Sequence, residues 1–286
     1  MGETRNRGYE ISLSATILNT KDFGVNAFIN FARNEGRLMK ISESLKAYNE
    51  RVDDYLTLQY TAYANSAEKS EPFLKYEEGG SLTAIYGMKS LGINPADGEE
   101  LFVDRSGNVT GKWLSSQQQI IGNTEPKGQG SFGINIRWKR LTLYTSCMYE
   151  FGGQQYNSTL LGKVECVDLS SSNADKRVLT QRWQKPGDVT DVPRFVLGQA
   201  AGPQNSSRYV HSTDHLRVKN LTLGFTLPDQ WLTKLGVSKA RLYFSGSNLL
   251  TWAKWDQYDP EVPVSGEVFC ETPPMRTYSF GIEVSF

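Results

Sequence analysis

His211, Asp214 and His215 come nearest in this chain to a catalytic constellation. Two imidazoles flanking a carboxylate could pass a proton or hold a metal ion. A general base needs a nucleophile to serve, and no serine or cysteine motif accompanies these three. They read as loop histidines. Asp104, Ser106 and Asn108 have the spacing that opens a calcium loop. The glycine is misplaced and the twelfth position is not Glu, so 104–108 reads as a turn. Asp256, Asp259 and Glu261 form an acidic cluster, with calcium one reading and a solvated turn the preferred one. Cys147, Cys166 and Cys270 are an odd set without tight spacing, which argues against a disulfide framework or a zinc site. Cys166 and Cys270 could pair if their loops meet; free thiols are the simpler reading. No catalytic residue, metal ion or cofactor is therefore expected.

The elements carry more information than these clusters. The chain has 286 residues, enough for one large β domain or two ordinary ones. Lys+Arg and Asp+Glu number 31 each, so the global basic field that nucleic acid would need is absent. Mean hydropathy is −0.46, and no apolar run approaches the ~18 residues of a membrane helix. That leaves open a membrane β-barrel, whose strands are apolar on one face only. The stretch from Met1 to Gly8 has no apolar core, so no signal peptide is expected there.

Alternation is the dominant pattern. Tyr9, Ile11, Leu13, Ala15 and Ile17 share one face of 6–18, with Glu10, Ser12, Ser14 and Thr16 opposite. After 19–22 it resumes with Phe23, Val25, Ala27, Ile29 and Phe31, which makes a hairpin. At 130–153, Phe132, Ile134, Ile136 and Trp138 precede a Lys139-Arg140 turn. Leu141, Leu143, Thr145, Cys147, Tyr149 and Phe151 follow. A two-residue loop sets 138 against 141, 136 against 143 and 134 against 145, which puts both apolar rows on one side. Further strands fit 214–227, 239–252 and 275–286. In 214–227 the parity flips between Val218 and Leu221, so a bulge is expected near Lys219. Weaker strands fit 81–92 and 99–104, parted by the turn residues Asn94-Pro95-Ala96-Asp97-Gly98.

The connections alternate short (18–22, 93–98, 139–140, 228–238) and long (34–80, 105–129, 154–213, 253–274). Membrane barrels sort their loops this way, with short turns on one side. Helical spacing of Ile41, Leu45, Tyr48, Val52 and Tyr55 predicts a loop helix over 41–56, with Ser42 or Ser44 as its cap, and 177–183 is a second short candidate. The chain closes on Tyr278, Phe280, Ile282, Val284 and Phe286, alternating with polar residues. A last strand ending on an aromatic residue looks like the assembly signal of an outer-membrane barrel. Trp138 and Trp252 end apolar rows near opposite rims, as in aromatic girdles. Asn26, Asn30, Asn135, Tyr144 and Glu150 give the other face a polar wall.

Several segments resemble the SusC/RagA family of TonB-dependent outer-membrane transporters. They include Gly2-Glu3-Thr4-Arg5-Asn6-Arg7-Gly8 with Glu10. Glu78-Gly79-Gly80-Ser81-Leu82 and Gly92-Ile93-Asn94-Pro95-Ala96-Asp97-Gly98 are similar to a mid-barrel segment, with Asn94 where Asp is usual. Ile121 to Lys127, Phe151-Gly152-Gly153, Arg182-Trp183 and Asp191-Val192-Pro193-Arg194 also fit. The strongest piece is Leu216 to Pro228, followed by Gly246 to Trp252 and Tyr258-Asp259-Pro260-Glu261.

The resemblance covers the chain. It implies an all-β, antiparallel transmembrane barrel, of which residues 1–286 are the C-terminal portion, with plug domain and signal peptide absent. The pattern counts about nine strands of a roughly 22-stranded parent. The parent's role would be energy-coupled import of a bulky nutrient (a glycan or peptide), not catalysis. Its implied partners are TonB, a SusD-like lipoprotein lid and the outer-membrane assembly machinery. About nine strands leave two bare edges, so the fragment alone is not expected to transport. Trp183, Trp255 and Tyr258 sit in loops or at the rim, where they could stack on a ligand or pack the loops. The alternatives are a small outer-membrane barrel enzyme, such as a lipase or protease, and a soluble β-sandwich that binds carbohydrate.

Overall fold

The computed structural model describes residues 2–50, 76–114, 117–165, 173, 175–194, 205–232, 236–255, 259–261 and 274–286. In chain order the strands are β1 (Glu3–Asn19), β2 (Phe23–Lys40), β3 (Ala84–Gly87), β4 (Lys89–Ile93), β5 (Glu100–Val103), β6 (Val109–Thr110) and β7 (Gln119–Asn123). Then come β8 (Gly128–Trp138), β9 (Leu141–Phe151), β10 (Gln154–Tyr156), β11 (Val210–Ser212), β12 (His215–Thr226), β13 (Lys239–Ala253) and β14 (Thr277–Ser285).

Seven of these form one antiparallel sheet, in the order β1-β2-β8-β9-β12-β13-β14. They run from 9 residues in β14 to 18 in β2. A tilted strand needs ~9–11 residues to cross a bilayer. Directly paired residues share a face of a sheet. One row therefore reads Leu18, Val25, Ile136, Leu143, Leu223, Phe244 and Phe280 across all seven strands. The neighbouring row, on the opposite face, reads Thr16, Asn26, Asn135, Tyr144, Thr222, Ser245 and Ser279. Large side chains of the apolar face are bare, Leu13 at 62% and Phe280 at 83% exposure. A soluble sandwich would cover that face with a second sheet, and the described residues place none over it. The face fits lipid, and the polar face fits a lumen.

Register follows from the sequence in two places. Trp138 pairs with Leu141, Ile136 with Leu143 and Ile134 with Thr145. Lys139 takes the left-handed backbone (φ 51°) that a two-residue hairpin turn requires. In β12 the pairing shifts between Val218 and Asn220 against both neighbours, which makes Lys219 a bulge. The extra residue returns Val218 and Leu216 to the lipid face, opposite Cys147 and Tyr149.

Among the described residues the sheet has seven strands, where the sequence pattern counts about nine. Segments 81–92 and 99–104 are strands, but they pair in small sheets, β3 with β7 and β4-β5-β6. They belong to the long connection 41–127. With them removed, short connections (20–22, 139–140, 227–238) lie at one rim and long ones (41–127, 152–214, 254–276) at the other. Residues 43–50 are helical, and the Ser42 hydroxyl accepts the Leu45 N–H at 3.3 Å. The rest of the 41–56 expectation lies outside the described residues. Arg177–Thr180 is helical, as expected for 177–183.

The long connections pack into a layer with small cores of their own. Ile85, Tyr156, Leu161 and Tyr209 make one, and Met88, Phe102 and Trp113 another. A polar knot ties the layer together. Arg208 Nη1 and Nη2 reach the two oxygens of Glu165 at 2.5 and 2.6 Å, and Nη2 reaches Glu100 at 3.0 Å. The Tyr209 hydroxyl donates to Glu165 at 2.6 Å. Burial works against the Arg208 charge, but Tyr209, Glu165 and Glu100 hold its pKa above the ordinary arginine value.

Candidate functional site

The surface a solute would meet is the polar face of the sheet together with the loop layer at its long-loop rim. On β1, β2 and β8 the polar side chains bond one another. Thr16 donates to Asn26 at 2.8 Å, Ser12 to Asn30 at 2.7 Å, and Asn30 to Ser131 at 3.1 Å. Asn135 and Tyr144 pair in the row next to them. Glu150 accepts the Thr213 hydroxyl at 2.8 Å. Such a wall interacts through hydrogen bonds.

Charge enters at the β12 bulge. Alternation puts Arg217 and Lys219 on the polar face, the bulge adds Asn220 to it, and both cations reach residues 259–261. Arg217 Nη2 lies 2.7 and 2.6 Å from the carboxylate oxygens of Asp259, and Nη1 lies 3.2 Å from Glu261. Lys219 Nζ meets Glu261 at 2.7 Å. Arg217 is 1% exposed. Asp259 and Glu261 are thus ion-paired to the wall, where a solvated turn was expected. They clip the long 254–276 connection to the lumen side. Asp256 lies outside the described residues. The signal for this clip was present: two cations on a strand whose parity flips. Its partners lie 42 and 44 residues away, beyond the reach of any local pattern.

The expected ligand contacts do not converge on one site. Trp183 donates its indole N–H to the Pro95 carbonyl at 3.0 Å. Gly98 (φ 74°) lies directly under its ring, and a Cβ there would come within 2.5 Å of it. The Arg194 backbone N–H donates to Gly98, and its side chain pairs with Glu99. The 94–98 turn, Trp183 and Arg194 therefore form one packed joint. Trp255 stacks on His211, ring centroids 3.9 Å apart and 4° from parallel. Burial pushes the His211 imidazole down to about 4, so it is neutral near pH 7. Tyr258 lies outside the described residues.

His215, expected in a loop, opens β12. Its Nδ1 lies 2.8 Å from the Thr213 carbonyl. Asp214 accepts the Gly152 N–H at 2.6 Å. The three residues that opened the sequence reading thus serve separate structural contacts. Asp104 accepts the Asn108 N–H at 2.8 Å in the β5–β6 turn, and such bonds keep its carboxyl below the usual range. No group of metal-binding side chains occurs among the described residues. Cys147 is a free thiol; Cys166 and Cys270 lie outside the described residues.

The terminal row is placed as a lipid-facing edge. Tyr278, Phe280, Ile282 and Val284 alternate along β14, and Phe286 beyond it is 93% exposed. Near the long-loop rim Tyr9, Phe31 and Phe151 form an aromatic run, with centroids 5.8 and 6.4 Å apart. Trp138 is exposed at the opposite rim.

No family profile matches the chain. Over its whole length it is 28% identical to TonB-dependent receptor P3 of Formosa agariphila, of which it spans 29%. It is 25% identical to TonB-dependent receptor SusC of Bacteroides thetaiotaomicron, spanning 27% of it. All of the chain superposes on 29% of a chain of the RagAB peptide transporter, with a TM-score of 0.78 at 26% identity. In the closed-closed state of the RagAB peptide importer the TM-score is 0.74. The chain therefore spans under a third of the relatives it matches. It is similar to TonB-dependent receptors of the SusC/RagA kind, and its open sheet superposes on part of a chain of that kind.

Proposed function

We propose, from this kinship with SusC/RagA-type TonB-dependent receptors, that residues 1–286 form the C-terminal part of the barrel of an outer-membrane nutrient importer. The cargo is a bulky solute, a glycan or a peptide; the similar RagAB peptide transporter favours peptide. The role is passage and not catalysis. The lumen wall offers hydrogen bonds, and the loop layer offers Trp183, Trp255 and Tyr258 as ligand-contact candidates. In the intact receptor a SusD-like lipoprotein is the lid, and TonB acts through another part of the protein. Tyr278, Phe280, Ile282, Val284 and Phe286 are the strip that the outer-membrane assembly machinery reads.

One observation carries this reading. Seven long strands present a largely apolar face and a largely polar face, and the sheet does not close on itself among the described residues. Unpaired strand edges are not tolerated in lipid. The sheet needs further strands at β1 and β14, and alone it transports nothing.

The test grafts the chain into receptor P3 in place of the matching segment. Outer-membrane insertion is followed by heat-modifiable gel mobility, and uptake by labelled peptides and oligosaccharides. Insertion with uptake of either solute is expected. A graft that stays soluble sinks the barrel reading. In parallel, the chain alone is reconstituted in vesicles, and solute flux there overturns its transport incompetence.

A further inference from the structure

Just above the aromatic run, the outward face of β1 and β2 changes character. Tyr9 and Phe31 belong to the lipid-facing row, and within two residues of them the same face carries Arg7 and Arg33. Strand rise sets that step at about 7 Å. Further up, Arg5 stands directly opposite Arg37. Like charges placed directly across a strand pair are unfavourable. Arg37 is partly satisfied, by Glu35 at 2.6 Å and by the Gly79 carbonyl at 3.0 Å. Arg5, Arg7 and Arg33 make no ion pair or side-chain hydrogen bond among the described residues. Four guanidiniums thus face one carboxylate. Arg5, Arg7, Glu35, Arg37, Met39 and Gly79 line a shallow groove of about 280 Å³.

We propose that this groove binds the phosphorylated headgroup of an outer-leaflet lipid. The position argues for a lipid over a dissolved anion. The groove continues the lipid face upward, directly above the aromatic rings that mark the interface. Guanidinium forks match phosphate oxygens, and an anion between Arg5 and Arg37 removes the cost of their opposition. The inference rests on the outer-membrane barrel reading above.

The test uses the grafted receptor, in which the chain replaces the matching segment of receptor P3, assembled in the outer membrane and extracted in mild detergent. Bound lipid is counted by native mass spectrometry after addition of diphosphoryl lipid A, of the same lipid dephosphorylated, or of inorganic phosphate. Arg5→Gln/Arg7→Gln removes two guanidiniums that have no ion-pair or side-chain hydrogen-bond partner among the described residues, so the sheet is expected to stay intact. Affinity for diphosphoryl lipid A is expected to fall about thirtyfold, the change expected for two basic residues near an anionic lipid surface. The dephosphorylated lipid is expected to bind both proteins equally weakly. Equal retention of diphosphoryl lipid A by both proteins overturns the proposal. So does inorganic phosphate that displaces the lipid at equal concentration, which would make this a free-anion site. Absence of the graft without the arginine changes from the outer membrane overturns the barrel reading and this proposal together.

Discussion

Arg217 and Asp259 meet on the lumen side of β12, with one guanidinium nitrogen 2.7 and 2.6 Å from the two carboxylate oxygens and the arginine almost wholly withdrawn from water. The pair joins a wall strand to the long connection 254–276. A buried ion pair adds little net stability, but removing one partner leaves a costly bare charge. Asp259→Ala leaves Arg217, among the described residues, only its 3.2 Å contact with Glu261 and is expected to lower stability by up to about 3 kcal/mol. It should also expose the connection to protease, as limited digestion would show. Replacing both members, Arg217→Met/Asp259→Leu, should cost much less. Equal costs for the single and double variants would mean that the pair does not hold the loop.

Ile134 and Asn135 are chain neighbours on opposite faces of β8. Ile134→Arg puts a charge into lipid, at about 2–4 kcal/mol near the bilayer midplane. Asn135→Arg puts the same charge into the lumen. Outer-membrane yield of the grafted receptor should collapse for the first and hold for the second. The reverse order would invert the assignment of the two faces.

The different legibility of these features has a physical cause. Period-2 alternation plus a two-residue turn leaves one register at 132–151, so the Lys139-Arg140 hairpin was readable residue by residue. The parity flip between Val218 and Leu221 has one economical solution, a bulge at Lys219. Alternation at 81–92 and 99–104 showed strands but not their sheet. What pulls them out of the barrel wall is contact distant in sequence. Arg208 ties Glu100 to Glu165, and Trp113 donates to the Asn205 carbonyl at 3.0 Å. The loop positions of Trp183 and Trp255 left ligand stacking and loop packing both open, because local sequence does not give their packing partners. Their partners, Pro95 and His211, lie far away in sequence.

The final strand gives a prediction of its own. Phe286 is nearly fully exposed, so folding gains little from it within this sheet, and the role proposed for it is recognition. Phe286→Ser should leave the thermal stability of correctly inserted protein within about 0.5 kcal/mol, as for an ordinary surface change, while slowing the appearance of heat-modifiable barrel in a pulse-chase. A variant that assembles at the wild-type rate would remove Phe286 from the assembly strip.

His211 makes the loop layer sensitive to acid, and the sign can be worked out. Its folded value is near 4 because of burial, against an ordinary value of 6.5. Above pH 6.5 the imidazole is neutral in both folded and unfolded chains, and its contribution to stability is fully present. As pH falls from 6.5 toward 4, the unfolded chain takes up a proton that the folded one refuses, so that contribution is lost. The stack on Trp255 should therefore hold at neutral pH and loosen near pH 4. Tryptophan fluorescence would report this as a transition in the wild type that is missing from His211→Phe, which keeps a ring against Trp255 without a titrating group. A transition that survives in His211→Phe would assign the acid response to another group.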